Sequence, residues 1–390
     1  MPEVSEAIQA MPKETMTPKE RVLAAINLQP VDRVPVLPLV TLFPARYKGM
    51  TNADAIRNPD SATQAIMEVF DEVGGWDGMV FSGYRAFLVP PKVSAVAMVP
   101  HILQPGRELP ENAAPQFDER ETITFEDYDL IIELGWRRFA EKYYSRFLPF
   151  PEDKIIAWTE RQFHYYIRDT KAWEKKGIPC LAGAMTLSPL MFFSIKRTLV
   201  NFTLDLHRHP DKVAAALDAV VGDLIDDALY SARLTGLPCI LLALERGGGF
   251  YYPLKIFERF EFPYIKRMVE AFASEGFITI LHFDNDWTLN LPYLKELPKA
   301  KCICELDSTS DIFKAKELLN GHMCIMGDVP ASLSALGTPE EMDAYCRKRI
   351  EVVGKGGGYI LSSGCELPPD TKFENFKAMI NAAKTYRPPA

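Results

Sequence analysis

Six continuously apolar runs from Ile178 onward alternate with amphipathic helical patterns, and this predicts an α/β fold. Two further runs near the N-terminus bring the strand count to eight. Eight strands with helices between them predict a (β/α)8 TIM barrel, with an open doubly wound sheet as the competing topology. The chain has 390 residues, 47% of them hydrophobic, enough to bury a large core. The reading is a single barrel domain over residues 1–390, carrying an N-terminal helical extension and an inserted lid or subdomain over 84–177.

Thr17-Pro18-Lys19-Glu20 opens a helix: Thr17 caps it, Pro18 suits the first helical position and Glu20 completes a capping box. The helix runs through Arg21 to Ile26 and ends before Pro30 and Asp32. Strands are predicted at Val34 to Val40 and Trp76 to Phe81. From Tyr84 to about Gly177 the pattern becomes irregular. Prolines, a short apolar piece (Val93 to Val99) and the acidic stretch Asp118 to Glu121 alternate with aromatics at Trp136, Phe139, Tyr143, Tyr144, Phe147 and Phe150. Peripheral helices with a small core of their own are the alternative to a lid there. The regular runs follow: Pro179 to Met185, Cys239 to Leu244, Phe277 to Leu281, Cys302 to Leu306, Met323 to Met326 and Tyr359 to Leu361. Between them, residues 211–229, 263–273, 312–319 and 339–353 show helical i, i+3, i+4 spacing. A last helix is predicted over 373–386, with Thr371 and Glu374 as its capping box.

A net charge of −8 and a pI near 5.5 argue against a general affinity for nucleic acid or an anionic membrane surface. No apolar run approaches the ~18 residues of a membrane span, and residues 1–16 lack an apolar signal core. The seven cysteines read as thiols of a reducing cytoplasm, where the protein is expected to reside. Gly354 to Gly358 lacks the Gly-Lys-Ser/Thr ending of a phosphate loop and reads as a helix end and tight turn. Gly247-Gly248-Gly249 follows a strand end, where a glycine loop can approach a ligand closely.

Strand C-termini of a barrel converge on one mouth. The residues expected there are Thr186, Glu245, His282, Asp284, Glu305, Asp307, Asp328 and Cys365. Asp307 and Asp328 can equally cap the helices that follow. His282, Asp284, Glu245 and Cys365 together are a set of imidazole, carboxylate and thiolate, which suits Zn2+ better than Mg2+ or Ca2+. Glu261 stands just before Pro263 opens a helix. It either points into the mouth or favours the helix N-terminus electrostatically.

Several segments resemble the uroporphyrinogen decarboxylase superfamily. They are Thr17 to Ala25 followed by Asp32-Arg33-Val34-Pro35-Val36, then Phe257 to Tyr264, Gly327-Asp328-Val329-Pro330, and Gly364 to Thr371 with Glu374-Asn375. The resemblance implies a (β/α)8 barrel and one of several activities. Its decarboxylases carry an arginine-rich segment after the first strand; here Val40 to Arg46 holds one arginine, which disfavours decarboxylation. Its coenzyme M methyltransferases hold zinc with His-x-Cys and a distant Cys. His282 and Cys365 match the outer members, and Asp284 stands where the middle Cys would be. The chain is most similar to the zinc-containing O-demethylase methyltransferases of anaerobic bacteria, whose motif of two Glu and a His is matched by Glu245, Glu261 and His282.

That resemblance implies transfer of a methyl group from a phenyl methyl ether to the Co(I) corrinoid, a cobalamin, of a partner protein. Zinc held by Glu245, Glu261, His282 and Cys365 would act on the ether oxygen, with the fourth position falling to Cys365 or to substrate. His282 and Asp284 are the expected catalytic residues, Asp284 orienting a ligand or handling a proton at the phenolic oxygen. Phe250, Tyr251, Tyr252 and Trp287 are candidates to stack on an aromatic ring, with loop packing as the alternative. A methylamine or thioether donor, methyl transfer to a thiol such as coenzyme M, and a barrel that only binds a tetrapyrrole or corrinoid are the competing readings. The resemblance leaves room for a homodimer.

Overall fold

A computed structural model describes residues 14–83, 102–146 and 152–388. Its framework is a parallel sheet of six strands in sequence order: β3 (Ala182–Leu187), β4 (Cys239–Ala243), β5 (Ile278–Phe283), β6 (Cys302–Leu306), β7 (Cys324–Val329) and β8 (Tyr359–Ser363). β1 (Ile102–Leu103) and β2 (Gln116–Phe117) form a separate antiparallel hairpin. Every residue of β4, β6, β7 and β8 is buried, as continuously apolar runs covered on both faces require.

The two remaining positions close the ring without forming regular strands. Val36 bridges Leu361 of β8, and Met79 bridges Cys180 just before β3. Leu37 N donates to Leu361 O, Leu361 N to Pro35 O, and Asp77 N to Val36 O, all at 2.9 Å. Met79 N donates to Pro179 O at 2.8 Å and Leu181 N to Met79 O at 2.9 Å. Pro35 and Pro38 have no amide proton to donate, so the first segment cannot form a full ladder. The fold is therefore the (β/α)8 barrel predicted, with six regular strands and two closed by isolated bridges.

The helices follow the predicted periodicity: Pro210–Thr235, Phe262–Ser274, Ile312–Leu319, Pro339–Val352 and Phe373–Thr385. Thr17 and Glu20 form the capping box of helix Pro18–Ile26. The box predicted at Thr371 and Glu374 does not form, because the last helix starts one residue later and Lys372 is its N-cap. Thr371 Oγ1 instead donates to Pro368 O, and the Asn375 amide donates to the carbonyls of Leu333, Ser334 and Gly337.

Within 84–177, helices span Asp127–Leu134, Trp136–Ser145 and Glu152–Lys175. Trp136, Phe139 and Tyr143 are fully buried and join the main core, with the Trp136 ring 4.6 Å from that of Phe192 on helix Pro189–Arg197. The predicted aromatics Phe147 and Phe150, the side chain of Tyr144, the piece Val93 to Val99 and most of the N-terminal segment lie outside the described residues. Among the described residues, no helix is long and apolar enough to cross a membrane.

Candidate metal centre

His282 lies within β5, beyond the predicted end of that strand at Leu281, and pairs with Ala243 of β4 and Glu305 of β6. The ladder register sets Glu305 beside it. Glu305 is fully buried, and its Oε2 lies 2.8 Å from His282 Nδ1. The other imidazole nitrogen, Nε2, lies 3.6 Å from Cys365 Sγ and 3.6 Å from Asp284 Oδ1. One ligand atom from each of His282, Asp284 and Cys365 falls within 4.8 Å of the others.

Local structure explains how the two outer groups arrive. Asp284 opens a tight turn in which Asn285 takes a left-handed conformation, φ +68, a conformation Asn tolerates better than most residues. Two neighbouring loops, those after β4 and β6, hold that turn. Asn285 N donates to Asp307 Oδ2, Asn285 Nδ2 to Glu245 O, and Trp287 N to Ser310 Oγ. Trp287 Nε1 donates to the Asp284 carbonyl at 2.9 Å. Cys365 follows Gly364 at the end of β8. A Cβ on Gly364 would stand 2.8 Å from Asp307 Cα, so glycine lets this end close onto the β6 loop.

Glu245 and Glu261 sit beside this trio rather than inside it. Ser188 Oγ donates to Glu261 Oε1 at 2.8 Å, while Oε2 of each glutamate is buried with no hydrogen-bond partner among the described residues. Burial pushes the Glu261 carboxyl up to about 8, and the negative Glu245 adds to this against the Ser188 hydrogen bond. Burial also raises Glu245, partly offset by His282. Burial raises Asp284 and Cys365, and His282 pulls both back down. For His282, burial disfavours the imidazolium, but Glu305 and Cys365 outweigh it and hold its pKa well above the usual range.

Glu366 is a site residue the sequence reasoning missed. It follows Cys365, accepts a 3.3 Å hydrogen bond from Thr41 Oγ1, and is pushed up to about 7 by burial. Its electrostatic coupling to His282 and Asp284 puts it at the same mouth. The available signal was its place in Gly364-Cys365-Glu366.

Other expected mouth residues have different work. Asp328 turns outward to Arg349 of helix Pro339–Val352, with Oδ1 3.0 Å from Nε. Asp307 braces loops through Asn285 N and Thr309 N. Thr186 is buried in β3. The glycine loop approaches the protein's own side chains: a Cβ on Gly247 would lie 2.3 Å from Glu261 Oε1, and one on Gly248 2.7 Å from the Trp287 ring. Of the four aromatics expected to stack on a ring, Trp287 and Tyr252 are buried, Trp287 against Phe283 and Phe257. Phe250 is exposed and Tyr251 half-buried.

Two of the trio's three ligand separations meet a geometric test for zinc. Tetrahedral zinc with Zn–N and Zn–O near 2.1 Å and Zn–S near 2.3 Å separates neighbouring ligand atoms by about 3.4–3.6 Å. The His–Cys and His–Asp separations, both 3.6 Å, match that spacing. A carboxylate on the remote imidazole nitrogen is the usual support of a metal-binding histidine.

Barrel and mouth together define an α/β barrel protein with a candidate metal centre at the C-terminal ends of its strands. Residues 166–386 match the uroporphyrinogen decarboxylase (URO-D) family model, and the chain belongs to that family. It is similar to a methylcobamide:CoM methyltransferase of Methanosarcina mazei, 28% identical over 141 residues, covering 36% of this chain and 38% of the relative. It is also similar to a uroporphyrinogen decarboxylase of Methylococcus capsulatus, 33% identical over 84 residues, 21% of this chain and 23% of that one. The matches thus span well under half the length of these curated relatives. A solved methyltransferase structure from Methanosarcina mazei shares the fold over 95% of this chain and 98% of its own, with a TM-score of 0.67 at 17% identity.

Proposed function

We propose that this chain is a methyltransferase that moves a methyl group between a small substrate and the corrinoid of a partner protein. The donor proposed is a phenyl methyl ether. The observation that carries the reading is the mixed donor set at the mouth, with His282 Nε2 3.6 Å from both Asp284 and Cys365. Glu245 and Glu261, each with a buried oxygen unpartnered among the described residues, stand beside it as further ligands or as proton-holding groups. A zinc ion there would supply a Lewis acid for the departing oxygen, and the partner's corrinoid the nucleophile that takes the methyl group. Asp284, on a turn braced by two loops, orients the substrate oxygen or holds a proton for it.

A second reading, methyl transfer to a thiol such as coenzyme M, is favoured by the similarity to methylcobamide:CoM methyltransferases. Decarboxylation of a polycarboxylate is disfavoured by Arg46, the arginine after the first strand. Its Nη1 donates to Asn112 Oδ1 at 2.7 Å and to Met50 O, so it is committed to local structure.

The test is to load the protein with zinc, add cob(I)alamin with veratrole or guaiacol, and follow methylcobalamin by its absorption. Methyl transfer from an aryl ether supports the first reading. Its absence, together with methyl transfer from methylcobalamin to coenzyme M, would select the second.

A further inference from the structure

We infer that residues 102–121 form a strap over the rim of the mouth, latched by Glu119 on Arg246, and that release of this latch opens the mouth. The purpose of such a gate rests on the function proposed above, in which a partner's bulky corrinoid enters there. The contacts themselves lie outside the metal centre. The strap carries the β1–β2 hairpin and is held by loops that leave the C-terminal ends of barrel strands. On one side it meets helices Phe43–Tyr47 and Asn52–Arg57, which follow the first barrel segment. Ala53 N donates to Glu111 O, and the buried Asn52 amide donates to the carbonyls of Asn112 and Ala113, all at 3.0 Å. Gly106 packs so closely there that a Cβ would stand 2.7 Å from that of Ala53. On the other side Glu119 Oε1 accepts from Arg246 Nη1 at 2.6 Å and from Leu199 N at 2.9 Å. The Phe117 ring lies 5.4 Å from the same guanidinium. Just beyond the strap, Thr122 N and Ile123 N anchor the chain on Lys196 O at 2.7 and 3.0 Å.

The attachments differ in kind. Asn52 at one end and Thr122 and Ile123 at the other are buried, whereas no residue from 107 to 121 is. A segment with no buried apolar contacts of its own is drawn from the low-stability end of a fold and moves as a unit between its anchors. Its seat at the mouth is Arg246, which directly follows the mouth carboxylate Glu245. Arg246 Nη1 also reaches Ser194 O and Oγ at 3.3 and 3.4 Å, so helix Pro189–Arg197 fixes the guanidinium, and Glu119 is the partner free to leave. The pair is partly exposed, Arg246 by 16% and Glu119 by 34%. An ion pair of that exposure shifts an open–closed equilibrium by about 2–5-fold. The charge-assisted bond to Leu199 N adds about tenfold. A latch of that strength keeps the strap closed at rest and yields to a partner that binds the open form more tightly.

Glu119→Gln, Glu119→Ala and Arg246→Met test this in the full-length protein, without corrinoid or substrate. Strap motion is read by hydrogen exchange of peptides from 102–121. Access to the mouth is read, after treatment with a chelator, from the rate at which a bulky aromatic disulfide reacts with Cys365. Cys365 is half-buried and the other six cysteines are buried, so one fast thiol reports the mouth. Glu119→Gln keeps an acceptor for Leu199 N but loses the ion pair, and should speed both readouts about 2–5-fold. Glu119→Ala loses both bonds and should speed them about tenfold or more. Arg246→Met should act like Glu119→Gln. These two changes alter the local charge in opposite senses, so a shared acceleration reports opening rather than electrostatics at the thiol. If Arg246→Met fails to fold, the two variants at exposed Glu119 carry the test. A merely structural contact would lower the denaturation midpoint and leave the Cys365 rate alone. Faster exchange in the strap with a wild-type rate at Cys365 would overturn the gate, and wild-type values of both would overturn the latch. None of these outcomes depends on zinc or on methyl transfer, so this inference and the proposed function fail separately.

Discussion

At the N-terminal end of the barrel, Arg21 and Arg33 converge on Asp77, whereas at the C-terminal end one histidine faces Asp284, Glu245, Glu305 and Glu366. Both ends bury charge, but the lower one is balanced within the protein. Asp77 accepts from Arg21 Nη1 at 2.6 Å, from Arg33 Nη1 and Nη2 at 2.6 and 2.9 Å, and from Val36 N at 2.8 Å. Arg21 also pairs with Asp32 and Glu14. Asp32 is held well below the usual carboxylate range: burial opposes this, but Arg21 and two backbone amides prevail. At the mouth, Glu245, Glu261 and Glu305 each keep an oxygen without a partner among the described residues. Evenly matched buried charges are architecture. A surplus of buried carboxylates around one imidazole calls for protons or a cation, and the comparison therefore separates scaffold from site.

The largest effect is expected at the lower end. Asp77→Ala leaves two buried guanidinium groups without their shared partner and should cost about 3–5 kcal/mol, read from chemical denaturation. A loss under about 1 kcal/mol would show that the network is not what ties the first strand to the second. At the mouth the consequence should fall on metal rather than fold. His282→Ala should abolish stoichiometric zinc binding in equilibrium dialysis while the protein stays folded; retention of full zinc would refute the centre as drawn.

The unbalanced charge also predicts a pH dependence. Glu261, a carboxyl that ordinarily titrates near 4.5, is pushed up to about 8 in the folded chain. The folded state therefore binds more protons between those values, and stability falls as pH rises through that window. Metal-free protein should lose up to about 1.4 kcal/mol per pH unit there. Glu261→Gln, neutral at every pH, should flatten the slope. An unchanged slope would mean that Glu261 does not hold the proton.

The same contrast bears on what could be read from the chain alone. The six regular strands were legible because parallel strands buried on both faces read as unbroken apolar runs. The first two closed the ring less regularly because Pro35, Pro38 and the Asp77-Gly78 pair break the run. His282, Asp284 and Cys365 were legible as ligand-grade residues at strand ends. The link from His282 to Glu305 needs the β5–β6 register, which an apolar run leaves unstated. Glu366 lies in the loop beyond β8, where no periodicity tells which side chains turn inward. Trp287, an aromatic on a loop, looked like a platform for a ring, but its indole N–H is occupied by the Asp284 carbonyl.

The smallest change, and the one that best sharpens the comparison, is Asp284→Cys. It adds no bulk to the turn braced by Asp307, Glu245 and Ser310, whose contacts run through Asn285 and Trp287 rather than through the Asp284 side chain. It replaces an oxygen donor by a thiolate and so makes the donor set richer in sulfur. Zinc should bind about tenfold more tightly, since thiolate is the softer ligand. Two thiolates also pass more charge to the metal and weaken it as a Lewis acid toward a neutral ether oxygen. Methylcobalamin formation from veratrole should therefore fall, and methyl transfer from methylcobalamin to coenzyme M should rise. If ether cleavage instead held steady or increased, the carboxylate at 284 would not be what directs this mouth toward ethers, and the thiol reading would gain.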